Sequence, residues 1–115
     1  MGTRYDLLPP IERWILYQEH GSDYAGLGLT WRELQACAIS EMERCSVYSP
    51  PPPKDPRGCP PILQRLRDER DSHYPLTGPG YSGEDLIADV IDELDRLALY
   101  VEPILYPFPK GGSLA

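Results

Sequence analysis

Carboxylates are the chemistry-bearing residues that this chain spaces most regularly. Between residues 84 and 102 stand Glu84, Asp85, Asp89, Asp92, Glu93, Asp95 and Glu102, opposed by Arg96 alone. Six of the seven net negative charges of the 115-residue chain lie in that stretch. On a helix, Asp85, Asp89 and Asp92 align in a row along one face, with carboxylates roughly 5–6 Å apart. That separation is comparable to the phosphate spacing of a nucleic-acid strand. With Glu93 and Asp95 beside it, the row is a candidate partner-binding face, able to occupy a basic groove on a nucleic-acid-binding protein. A solvated face that keeps a domain soluble needs the same residues and is the more ordinary outcome. The same spacing could hold Ca²⁺ or Mg²⁺, but no loop supplies the backbone oxygens such sites use, so no metal is expected.

The remaining reactive residue types form no comparable pattern. Cys37, Cys45, Cys59, His20 and His73 contain no C-x-x-C pair, and Cys37 and Cys45 lie two turns apart on one helix, too far to share an ion. Core or edge thiols, reduced in a cytoplasm, are expected. No serine, cysteine or carboxylate stands in a context that marks a nucleophile with its base. No catalytic residue, no cofactor and no enzymatic activity are therefore expected. The run Gly78-Pro79-Gly80-Tyr81-Ser82-Gly83 formally fits G-x-G-x-x-G. No strand precedes it, and Glu84 and Asp85 would repel a phosphate, so it reads as a flexible turn. Pro50 and Pro53 give a P-x-x-P frame, but Asp55 stands where an SH3 ligand carries a basic residue, so a stiff surface loop is expected.

Four helices are expected to position these residues. The first runs from about Pro10 to Glu19, since proline suits a helix start, with Ile11, Trp14, Ile15 and Gln18 on one face and Gly21 as its stop. Ser22–Leu29 reads as a glycine-spaced loop. Thr30-Trp31-Arg32-Glu33 matches a capping box for a second helix that continues to about Arg44. Its apolar stripe is Trp31, Leu34, Ala38, Met42 and Cys45. Residues 49–61 read as an exposed polyproline-type connection. Ile62–Asp71 is a short third helix with Ile62, Leu63 and Leu66 inward and His73 just beyond its end, and Pro75–Gly83 is a loop. The fourth helix, about Glu84–Leu99, has the cleanest pattern. Leu86, Ile87, Val90, Ile91, Leu94, Leu97, Ala98 and Val101 fill one arc, and the carboxylates fill the other. Ser82 can cap its start. Tyr100–Phe108 reads as an edge strand or a packed tail, with residues 102–115 extended or partly disordered.

Length and composition point to one mainly helical domain over residues 1–115, a compact bundle with a Pro-rich loop and an extended C-terminal tail. No apolar run approaches the roughly 20 residues of a bilayer span. The N-terminus lacks a signal-peptide pattern, and Asp6 stands where myristoylation needs Ser or Thr. A cytoplasmic protein is expected. No basic patch is visible, which argues against direct nucleic-acid binding.

In element order the chain resembles a winged helix-turn-helix domain once residues 49–71 are treated as an insertion. IERWILYQEHG would be its first helix, LTWRELQACA its second, EDLIADVIDELDRLAL its third, and YVEPILYPF the start of its wing. Gly28-Leu29-Thr30-Trp31-Arg32-Glu33-Leu34 is similar to the start of the second helix in many such regulators. The resemblance implies a degenerate winged-helix scaffold, and with it a DNA-binding transcription regulator. Two features depart from the family: nearly forty residues replace its short turn, and the would-be recognition helix is acidic where a reader carries Arg, Lys, Asn or Gln. The residues taken by themselves instead suggest a small acidic protein-binding module with a basic protein partner. By size and charge it compares with phage or mobile-element inhibitors of host nucleic-acid machines. A docking subunit of a larger assembly, attached through Tyr100–Phe108, is the third possibility.

Overall fold

The computed structural model describes residues 7–21, 29–74 and 76–105. They form four helices and, among the described residues, no strand: α1 (Pro10–His20), α2 (Trp31–Ser46), α3 (Ile62–Asp71) and α4 (Gly83–Leu97). Each starts and stops where local chemistry dictates. Proline opens α1, and Gly21 ends it at φ 61°, a backbone geometry that glycine adopts without a steric cost. Thr30 caps α2, its Oγ1 accepting from the Glu33 N–H at 3.3 Å and donating to Glu33 Oε1 at 2.6 Å. Ser82 caps α4 by accepting from the Asp85 N–H at 3.2 Å. The expected Ser22–Leu29 loop, except for Leu29, lies outside the described residues, as does the tail beyond Leu105.

α2 and α4 each pack against all three other helices, and α1 and α3 flank this central pair. The core follows from the apolar stripes. Leu34, Ala38, Met42 and Cys45 of α2 meet Leu86, Val90, Leu94 and Leu97 of α4. Trp14 closes the core from α1, Ile62 and Leu66 close it from α3, and Leu29 is buried just ahead of α2. Trp14 is fully buried, and its indole N–H is satisfied by the Leu34 carbonyl at 3.1 Å. Trp31 packs edge-on against Trp14, with ring centroids 5.5 Å apart.

Two expectations about faces are corrected. The inward face of α1 is Pro10, Arg13 and Trp14, whereas Ile15 is half-buried and Gln18 exposed. The helix is therefore rotated toward Arg13, whose Nε donates to the Leu8 carbonyl at 3.2 Å. The Pro-rich segment is also more than an exposed connector. It is strapped to the bundle by three arginines, and its Asp55-Pro56-Arg57-Gly58 turn closes with a Gly58 N–H to Asp55 carbonyl bond of 3.0 Å.

The stretch after α4 is a packed tail over its described part. Val101 packs on the core, and the Arg44 guanidinium donates to the Glu102 carbonyl. The Glu41 carboxylate accepts from the backbone of Ile104. No strand is formed over residues 100–105, the part of the expected wing that is described. Among the described residues, no helix is long and apolar enough to cross a membrane.

Candidate functional site

The acidic face of α4 is divided into an inner and an outer edge. Asp89 lies on the inner edge, with its side chain 23 % exposed. Its Oδ2 accepts from Arg65 Nη1 of α3 at 2.7 Å and from Arg57 Nη2 of the Pro-rich segment at 2.5 Å. Arg65 is buried, and its other donors are satisfied by the Pro60 carbonyl (2.9 Å) and the Gly80 carbonyl (3.0 Å). Arg57 also clasps Asp55 through Nη2 at 2.8 Å. The Arg57 guanidinium, and after it the Cys59 thiol beside the same carboxylate, hold the Asp55 carboxyl well below the usual carboxylate range. Asp55, Arg57, Arg65 and Asp89 thus form one ion cluster pinning the proline loop across α3 and α4.

Glu93 is likewise committed within the fold. It receives Arg96 Nε at 2.7 Å and Nη2 at 2.9 Å, one turn along the same helix. Arg96 Nη1 also donates to the Pro50 carbonyl at 3.1 Å, which fastens the near end of the proline loop to the last turn of α4.

The outer edge is different. Glu84, Asp85, Asp92 and Asp95 are exposed. Asp85 has Arg57 at 3.8 Å, at the margin of an ion pair. No cation lies within ion-pair distance of Glu84, Asp92 or Asp95 among the described residues. Of the five residues the spacing nominates, the structure therefore leaves Asp85, Asp92 and Asp95 facing water, and engages Asp89 and Glu93 internally. The expected unbroken row Asp85–Asp89–Asp92 is interrupted at its middle.

Two clefts run along the proline loop. The larger, about 540 Å³, lies between Pro52–Pro61 and α4 and carries Arg65, Asp89, Asp92 and Arg96 in its wall. The smaller, about 290 Å³, has an apolar floor of Met42, Leu63 and Leu97 beneath Pro50–Pro52.

The other candidate chemistries resolve into structure. Cys37 and Cys45 are buried in the core, and burial pushes the Cys37 thiol up to about 11. Cys59 is half-buried against Gly80 and Asp55, and burial raises it too. Among the described residues no group of three His, Cys, Asp or Glu could hold a metal ion. The G-x-G-x-x-G run is a turn, closed by the Tyr81 N–H to Gly78 carbonyl bond of 3.2 Å. Gly80 stands at φ 83° against Arg65, where a Cβ would fall 2.6 Å from Nη1.

Reasoning from the sequence missed the buried charged residues Arg13, Glu41 and Arg65. A signal existed for Arg65, which falls with Ile62 and Leu66 at the i, i+3, i+4 positions of the inward stripe. The tie from Arg57 to Asp89 carried no such signal, because the two are 32 residues apart in sequence.

No family model matches the chain, and neither a curated protein nor a solved structure is detectably similar to it.

Proposed function

We propose that this chain is a non-enzymatic protein-binding module whose partner presents a basic surface to the outer edge of α4. The observation that carries the reading is the set of exposed carboxylates Glu84, Asp92 and Asp95, which have no cation within ion-pair distance among the described residues. The fold neutralises Asp89 and Glu93 from within, yet leaves these three to be met from outside. Across an interface, such groups steer encounter with an oppositely charged surface and set its register. In its narrower form the partner is a nucleic-acid-binding machine of a host cell. The break at Asp89 leaves two acidic groups, Glu84 with Asp85 and Asp92 with Asp95, in place of a phosphate-like ladder. The proposal accordingly commits to a basic protein surface and not to imitation of a strand.

The test is affinity capture from the source organism with the wild-type chain and with the Glu84→Gln/Asp92→Asn/Asp95→Asn variant, alongside a duplex-DNA mobility assay. The wild type should retain a basic partner that salt elutes, the variant should not, and the duplex should migrate unretarded. Retardation of the duplex would support the winged-helix regulator instead. A partner that survives high salt and is held equally by the variant would favour a docking subunit.

A further inference from the structure

Of the seven large hydrophobic side chains exposed among the described residues, four lie just past the ends of two helices. Val47 (76 %) and Tyr48 (69 %) follow α2, and Leu99 (80 %) and Tyr100 (50 %) follow α4. Two cross-ties bring the two turns together. Arg44, three residues before Val47, bonds the Glu102 carbonyl, and Pro50, two residues after Tyr48, accepts from Arg96. The turn that follows α2 and the turn that follows α4 therefore lie at one end of the bundle, each within reach of an arginine of the other helix. The apolar cleft floored by Met42, Leu63 and Leu97 opens beside the same turns.

This end carries net negative charge: Arg44 and Arg96 are paired with Glu41 and Glu93, while Asp92, Asp95 and Glu102 have no cation within ion-pair distance among the described residues. α2 and α4 both finish here, so the negative ends of both helix dipoles converge. Asp92 and Asp95 share one stripe of α4, at i and i+3, and Leu99 stands two residues past its last turn. Glu102, two residues past Tyr100, is exposed as well. A second copy of the chain is a poor occupant, because it would bring a second net-negative end against this one.

We propose that this shared end of α2 and α4 is the seat for a basic amphipathic segment of the partner. An apolar side chain of that segment would enter the cleft, flanked by Tyr48 and Leu99, while its Lys or Arg residues meet Asp92, Asp95 and the tyrosine faces. The inference rests on the basic-partner reading above and adds that binding is anchored by apolar contact, not by charge alone.

The experiment titrates the full chain by calorimetry with three synthetic probes: an amphipathic leucine–lysine helix, an all-lysine peptide of equal charge and an uncharged leucine–serine helix. The leucine–lysine helix should bind at least about tenfold tighter than the all-lysine peptide. Tyr48→Ala/Leu99→Ala should erase that margin, and Asp92→Asn/Asp95→Asn should weaken both lysine probes. Thermal melting checks that the variants fold, and Leu99→Gln serves as a milder second variant. Equal binding of both lysine probes, indifferent to Tyr48→Ala/Leu99→Ala, overturns the inference and leaves the basic-partner reading standing. Failure of both lysine probes to bind at all overturns that reading and the inference together. Equal binding of the leucine–serine helix overturns the requirement for a basic segment. A wild-type dimer in sedimentation, lost in Tyr48→Ala/Leu99→Ala, overturns the inference by assigning the surface to a second copy.

Discussion

Replacing Asp89 by Asn separates the inner edge of α4 from its outer edge. Asn keeps the size of the side chain but removes the charge that Arg65 and Arg57 share. Arg65 is 4 % exposed, so its guanidinium loses a partner where water cannot substitute. Removing one member of a buried pair costs roughly 3–5 kcal/mol. Three features bring the expectation below that range. Asp89 is itself partly exposed, the Pro60 and Gly80 carbonyls still accept from Arg65, and Asp55 remains 3.8 Å away. The expected loss is about 2–3 kcal/mol, which in a domain of this size lowers the melting temperature by about 8–12 °C. Urea unfolding followed by fluorescence of the buried Trp14 measures it. Asp92→Asn, on the outer edge, should change stability by no more than about 0.5 kcal/mol. Equal effects of the two substitutions would refute the division of the acidic face into a structural and a free part.

Further consequences concern the core, the turns and the caps. The raised thiol pKa of Cys37 means that the folded state holds its proton more tightly than the unfolded chain does. Its contribution is therefore complete below pH about 9 and lost as pH rises toward about 11, a fall of roughly 2–3 kcal/mol. Cys37→Ser, which keeps a donor for the Leu34 carbonyl, should unfold in urea without that alkaline drop. Iodoacetamide at pH 8 should label Cys59 before Cys37 and Cys45, which should react only on unfolding. Gly80→Ala should destabilise more than Gly78→Ala in the same denaturation assay. Both positions have positive φ, but only at Gly80 does the added Cβ collide with Arg65 and Cys59. Thr30→Ala should cost about 1 kcal/mol by uncapping α2.

How much of this was legible in the sequence depends on the range of the interaction. The helices were, because period and caps are local. Ile62–Asp71 is expected and observed with the same bounds, and the Thr30 and Ser82 caps lie where the sequence puts them. The α4 arc of Leu86, Val90, Leu94 and Leu97 is the buried face. The orientation of α1 was misjudged because a rule that sends apolar residues inward cannot anticipate a buried Arg13 held by the Leu8 carbonyl. The fate of the acidic row was beyond local reasoning for the same cause. Asp89 meets Arg57 and Arg65, 32 and 24 residues away, and only the packing of α3 and the proline loop brings those charges together.

The central claim is that Glu84, Asp92 and Asp95 face a partner while Asp89 holds the fold. Its most direct test is the affinity of an all-lysine peptide at low salt, measured on Glu84→Gln/Asp92→Asn/Asp95→Asn and on Asp89→Asn below its melting temperature. The triple variant should lose binding while keeping the wild-type melting temperature, and Asp89→Asn should bind as the wild type does. Full binding by the triple variant would contradict the claim.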